Sequence, residues 1–220
     1  MAKMERRMYT LYWHPYSSSY APMAVLEELG VKFDLYEVDY DGGETNGPEY
    51  RALQPLGLIP ALRIGKDRSM FESAAIIIFL CDRHREAALA PLPEDAERAA
   101  FLQWMLFMAD TVYPSYNRYY HPERYTSDPT GESSVKEQAM VLAQNQWQVI
   151  EDELASNGPW LLGERFSACD IYLQMITTWH ERPKDLFAKF PRIRQVAEGV
   201  LTREATRRAF ARHNFQSGLE

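Results

Sequence analysis

Three serines stand in a row, Ser17-Ser18-Ser19, between a β-branched and aromatic run (8–13) and an apolar stretch that reads as helix. A hydroxyl just ahead of a helix can cap it by accepting from a first-turn N–H. It can also donate to an anion that the N–H groups and helix dipole already favour. Glu72-Ser73, at the predicted start of another helix, offers the same choice between a plain cap and a carboxylate site. Pro60, in Leu58-Ile59-Pro60-Ala61-Leu62, has no N–H; a cis bond would turn the Ile59 backbone outward, whereas a trans bond would merely start a strand. Tyr113, Tyr116, Asn117 and Tyr120 fall on one broad helical face, where aromatic residues line a pocket or fill a core.

Other chemistries find no support. Cys81 and Cys169 have no CxxC or metal-ligand spacing and read as two buried, reduced thiols. The histidines at 14, 84, 121, 180 and 213 form no HExxH or HxH pattern, so no metal site is expected. With 24 basic against 31 acidic residues the net charge is −7, a poor basis for binding nucleic-acid phosphates. Arg203, Arg207, Arg208 and Arg212 recur at helical spacing and read as a solvated helix face. Hydrophobic types make up 46% of the 220 residues, enough for a core without staples. The longest apolar run, 74–81, falls well short of the roughly 20 residues of a membrane span. The charged start MAKMERRMYT has no apolar segment behind it, so no signal peptide is expected. A soluble cytoplasmic protein is the expectation, with neither nucleic acid nor membrane as partner.

The elements that must position these residues alternate at first. Strands are predicted over 8–13 and 31–38, with a helix between them that has Pro22 in its first turn and Gly30 just past its end. A loop over 39–48 holds three glycines and leads to a short helix over 49–53. Strands over 59–64 and 69–71 form a hairpin about the turn 65–68, and a helix follows over 72–84. Its run 74–80 is too continuous for a surface helix and should be buried on most sides. This βαβαββα order makes the first two strands parallel and the sheet mixed. After a proline-bearing linker over 87–95 the chain reads as helical: 96–120, 133–156, a segment opened by a Ser167-x-x-Asp170 capping box, and 192–200 and 203–212. The expected fold class is α/β plus all-α, with domains over 1–86 and 96–220.

Taken in order, these motifs resemble the cytosolic glutathione S-transferase family over nearly the full length. Leu58-Ile59-Pro60-Ala61-Leu62 is similar to the family's cis-proline segment, and Phe71-Glu72-Ser73-Ala74-Ala75-Ile76 to its Glu-Ser-x-Ala-Ile element. Phe166-Ser167-x-x-Asp170 is similar to its C-terminal capping box. Tyr12-x-x-Pro15 through Tyr20-Ala21-Pro22-x-x-Val25-Leu26 resembles the bacterial beta-class opening. The resemblance implies a thioredoxin-like first domain that binds glutathione as co-substrate. Ile59 and Pro60 would hold its cysteinyl backbone, Ser73 its γ-glutamyl carboxylate, and Glu72 the amino group.

The same resemblance sets Ser18 where the beta class has a cysteine, and Ser19 on the serine after it. A serine there can stabilise a thiolate by donating to sulfur but cannot form a mixed disulfide. Ser18 is therefore the favoured catalytic residue, with Ser17, Ser19 and Tyr16 close enough to serve instead. Tyr16, Tyr113, Tyr116 and Asn117 would contact a hydrophobic electrophile held between the domains. The loop 39–47 departs from the family pattern, since Gly42-Gly43-Glu44 stands where a lysine or arginine often meets the glycyl carboxylate. The function implied is detoxifying conjugation of glutathione by a homodimer without a metal. A non-catalytic binding module keeping the fold is one alternative. A glutathione-dependent isomerase is another, its Ser-Ser-Cys-Ser-Trp-Arg opening only partly echoed and without the arginine.

Overall fold

Three aromatic residues and a β-branched threonine in Tyr9–Trp13 favour extended chain and make it β1, the strand on which the first unit is built. In the computed structural model, which describes residues 8–219, β1 lies in a four-stranded sheet with β2 (Phe33–Glu37), β3 (Ala61–Ile64) and β4 (Arg68–Phe71). The sheet order is β2-β1-β3-β4. Helix α1 (Tyr20–Glu28) crosses between β1 and β2, and that connection makes the two strands parallel, with Tyr12 opposite Tyr36. The tight turn at Gly65, in the left-handed region, makes β3 and β4 antiparallel. β3 also runs antiparallel to β1, setting Ala61 opposite Tyr12.

Helix α1 buries every residue from Tyr20 to Leu26, and Gly30 at φ 65° lets the chain turn away after it. Helix α2 (Pro48–Arg51) is short and begins on its proline. Its Tyr50 joins Tyr12, Val38 and Ala61 in a small core against which Leu53 and Ile59 pack. Helix α3 (Ser73–Arg83) buries Ser73, Ala74, Ile76, Ile77, Leu80 and Cys81. Ala75 is exposed and Ile78 and Phe79 are only half-buried, so the continuous run is covered on one side rather than most. The charged start on which the signal-peptide reading rests, residues 1–7, lies outside the described residues.

The second unit, Leu89–Leu201 with the last residues from Gln216, is helical. Where one helix is predicted over 96–120, the backbone runs as α4 (Arg98–Leu106), a π-helical stretch (Phe107–Val112) and α5 (Tyr113–Tyr120). Such π segments carry no periodicity signature of their own and often mark functional sites. Helices α6 (Glu132–Asn157), α7 (Ala168–Thr177), α8 (Pro183–Lys189) and α9 (Pro191–Thr202) follow, α8 being absent from the sequence reading. The capping box at Ser167 forms as predicted. The Ser167 amide donates to Asp170 Oδ2 (2.7 Å), and the Cys169 amide donates to Ser167 Oγ (3.2 Å). Asp170 Oδ1 also accepts from the Leu161 amide (2.9 Å), fastening the preceding turn to the helix. Cys169 is buried, with Sγ donating to the Phe101 carbonyl, and Cys81 is buried too; neither is in a disulfide.

Helix α10 (Glu204–Arg212) belongs with the first unit, which runs to Ala88 and takes in Thr202–Phe215. The division read from sequence assigns this segment to the helical half. Helix α10 buries Thr206 and Ala209 and sets Phe210 edge-on to Tyr20 of α1, and two ion pairs join the helices: Arg203 grips Glu28 through Nε and Nη2 (2.9 and 2.6 Å), and Arg208 meets Glu27 (3.0 Å). These arginines are thus ties to α1, not a purely solvated face, and the bidentate pair is the stronger kind. Among the described residues no helix is long and apolar enough to cross a membrane.

Candidate functional site

The three serine hydroxyls do three different things, and none of them caps α1 with a side chain. Ser18 is buried, 4% exposed, and its Oγ donates to the Ile59 carbonyl (3.2 Å). Ser17 is half-buried, and its Oγ donates to the His14 carbonyl (2.7 Å) and lies 2.6 Å from Ser19 Oγ. Ser19 is fully buried with its Oγ 2.9 Å from His213 Nε2. The capping alternative therefore does not describe these hydroxyls. Tyr16 just before them sits at φ 59°, a left-handed conformation uncommon for a tyrosine, with its side chain 65% exposed.

His213, the residue after α10, was not singled out by the sequence. A histidine well over a hundred residues from the serine run, with no motif around it, gives no signal. It is fully buried among the rings of Trp13, Tyr20 and Phe215, and its carbonyl accepts from the Tyr16 amide (3.2 Å). Its Nδ1 lies 2.9 Å from the Ala209 carbonyl, an oxygen that can only accept. Nδ1 therefore carries a proton. Burial pushes the pKa of the ring down to about 4, so near neutral pH Nε2 is bare and accepts from Ser19.

The Ile59–Pro60 peptide is cis. Ile59 packs on the small core of Tyr12 and Tyr50, and its carbonyl is the one Ser18 touches. Glu72 sits at φ 71° immediately before α3, exposed, with Ser73 beginning the helix and nearly buried. A non-glycine residue held in that region costs of order 1–3 kcal/mol, and such positions cluster at functional sites. The loop 39–47 uses its acids internally: Glu44 accepts from Tyr36 Oη (2.7 Å) and the Asp39 amide (2.8 Å). Arg51, at the end of α2, donates to the Pro55 carbonyl (3.0 Å) and Asn46 (3.3 Å).

In the helical unit the predicted tyrosines separate. Tyr116 is buried, 1% exposed, and its hydroxyl accepts from Trp147 Nε1 (2.8 Å), which makes it a core residue and does not fit the substrate role drawn for it. Tyr113 and Asn117 are half-buried, Tyr113 lying 4.6 Å from the Trp179 ring. Tyr120 is half-exposed and donates to the Trp179 carbonyl (2.6 Å). Trp179 itself, and the histidine after it, carried no motif. Among the described residues no group of His, Cys, Asp and Glu is arranged to hold a metal ion.

Comparison with known proteins agrees with this fold. Residues 19–83 match the glutathione S-transferase N-terminal domain, and 104–204 match the C-terminal domain. A glutathione S-transferase of Arabidopsis thaliana is 32% identical over 168 residues, 74% of this chain and 76% of that one. A disulfide-bond oxidoreductase of Escherichia coli (strain K12) is 29% identical over 209 residues, 92% of this chain and 94% of the other. Among solved structures, a glutathione transferase of Phanerochaete chrysosporium in complex with oxidized glutathione superposes with a TM-score of 0.81. It is 25% identical and covers 96% of this chain and 98% of that one.

Proposed function

This chain belongs to the glutathione S-transferase family, and on that premise we propose that it binds glutathione, stabilises its thiolate and conjugates it to small hydrophobic electrophiles. The contact of Ser18 Oγ with the carbonyl of Ile59, next to cis-Pro60, carries the reading. In the family that backbone pairs with the cysteinyl part of the tripeptide, so the Ser18 hydroxyl stands beside the sulfur. When the cysteinyl N–H takes the Ile59 carbonyl, the Ser18 proton turns to the thiolate. An unperturbed thiol has a pKa of about 8.5, and a directed hydroxyl lowers the cost of its anion.

Glu72 and Ser73 hold the γ-glutamyl end, the strained backbone at Glu72 aiming that residue. Tyr113 and Asn117 are the residues we propose would meet the electrophile. In the conjugating step with a nitroaromatic halide the thiolate sulfur bonds to the electrophilic carbon, the carbon–halogen bond breaks and halide leaves with its electron pair, the thiol proton having already passed to water. As in most of the family, two copies associate, and light scattering at micromolar protein should return twice the chain mass.

The test is a calorimetric titration with reduced glutathione, followed by an assay with a nitroaromatic halide. Saturable binding at one site per chain and release of halide support the reading; failure to bind at millimolar ligand favours a non-catalytic module. The oxidoreductase relative favours a second reading, in which the same thiolate attacks a small-molecule disulfide. Ser18 cannot itself form a mixed disulfide, so both sulfurs would belong to substrates. Reduction of a glutathione mixed disulfide without any conjugation would promote it.

A further inference from the structure

Each serine of the run has a single proton to donate, and the buried imidazole decides where that of Ser19 points. Because Nδ1–H donates to Ala209, the bare Nε2 of His213 needs a donor, and Ser19 Oγ at 2.9 Å is the hydroxyl in reach. A bare acceptor left unpaired at full burial would carry its whole desolvation penalty. The Ser17 proton already has an acceptor, the His14 carbonyl at 2.7 Å, and with the Ser19 proton on His213 the 2.6 Å contact between the two hydroxyl oxygens can only share that same proton. The Ser19 amide meets the Ser17 oxygen as well (3.2 Å). Ser17 is left with no proton to turn to a thiolate.

We infer that His213 is a positioning residue for the thiolate site: it takes the Ser19 proton while the His14 carbonyl holds that of Ser17, and sulfur is left to be met by Ser18. Its carbonyl fixes the same turn a second time, through the Tyr16 amide. Helix α10 delivers it there, anchored by the Arg203–Glu28 and Arg208–Glu27 pairs. The role on sulfur rests on the proposed glutathione chemistry; the proton direction does not.

Two measurements test it. Long-range nitrogen NMR on isotope-labelled protein reads the tautomer directly, and the expected result is a protonated Nδ1 and a bare Nε2 near neutral pH. A ring protonated at Nε2 overturns the inference. The second compares His213→Gln, whose amide oxygen reaches the Nε2 position, with His213→Asn and His213→Phe, which cannot offer Ser19 an acceptor there. We expect Asn and Phe to lose about tenfold in kcat with KM for glutathione within about threefold, and Gln to recover most of it. Equal losses in Gln and Asn, or an unchanged kcat in a folded Phe variant, would sink the positioning role. If Phe fails to fold, the Gln–Asn contrast still decides. A wild-type protein that never binds glutathione would instead overturn the functional reading, and the nitrogen spectrum would still report on the proton direction.

Discussion

The Ser18 hydroxyl donates to the Ile59 carbonyl across 3.2 Å, tying the turn before α1 to the cis-Pro60 segment 41 residues further on. The two segments meet because β1 and β3 are neighbours in the sheet, with Tyr12 opposite Ala61. The turn after β1 and the proline before β3 are therefore at the same end of adjacent strands. A hydroxyl and a carbonyl that a peptide ligand would use are brought together by strand order alone.

Replacing Ser18 by alanine removes the donor without disturbing the backbone that would hold the tripeptide. The expected outcome is a loss of about a hundredfold in kcat for conjugation, the scale seen when one oriented donor to a developing anion is deleted. Glutathione affinity should stay within about threefold of wild type. Steady-state kinetics and a calorimetric titration on the same preparation check the split. A large loss in Ser17→Ala with Ser18→Ala unaffected would move the donor role one residue along the chain.

Much of this was legible in the sequence, for identifiable reasons. Element order, the hairpin, the Ser167–Asp170 capping box and the Ile59-Pro60 segment announce themselves through local chemistry: turn residues, alternation and a three-residue cap spacing. His213 and the pairing of α10 with α1 did not, because they rest on contacts between residues more than 170 positions apart. The left-handed backbone at Tyr16 and Glu72 was equally silent, since neither residue type favours it. Tyr116 and Tyr113 look alike in a helical stripe; only the partner Trp147 on α6 makes one of them core.

That distinction is testable. Tyr116→Phe removes the oxygen that accepts from the buried Trp147 N–H and should cost about 1–3 kcal/mol of stability. It should leave the preference among electrophiles unchanged. Tyr113→Ala should shift that preference and KM for the electrophile while costing less stability, because Tyr113 is half-buried. Denaturant melts and a panel of aromatic and aliphatic electrophiles separate the two outcomes. A changed electrophile ranking in folded Tyr116→Phe would return that tyrosine to the substrate site.

Asp170 joins three donors, the amides of Leu161 and Ser167 and the Ser167 hydroxyl, inside a fully buried turn. Asp170→Ala leaves both amides without their acceptor and removes half of the capping box. A loss of about 3 kcal/mol is expected, at the upper end for a cap because the orphaned groups are buried. Glutathione affinity, which on the proposed reading rests on the first unit, should survive in whatever fraction remains folded. A loss below about 0.5 kcal/mol in a urea titration would show that the turn finds other acceptors.

Two buried groups act in opposite directions as the pH falls, and substitution separates them. Burial depresses the His213 pKa to about 4, from 6.5 in an unperturbed ring. The unfolded chain therefore binds a proton that the native state refuses, and stability falls as pH drops from about 6.5 to about 4, by about 3 kcal/mol. Among the groups that act on the ring there is no carboxylate; the Ala209 carbonyl opposes the depression by less than burial causes, and His14 adds to it. For Asp170 burial outweighs its hydrogen bonds and raises the pKa to about 6 from 3.8. There the native state binds the proton first, and stability rises as pH drops through about 6 towards 3.8, by a similar amount. Between about pH 6 and 4 the two contributions oppose each other in the wild-type protein. His213→Phe should remove the falling one, so that the stability of the wild type relative to the variant declines by about 3 kcal/mol across that interval. Asp170→Asn should remove the rising one and give a difference of the opposite slope. Urea titrations at half-unit pH steps on the three proteins measure both slopes. Parallel curves for the wild type and His213→Phe would mean that the imidazole takes up its proton without cost, and the neutral, Ser19-accepting ring would have to be given up.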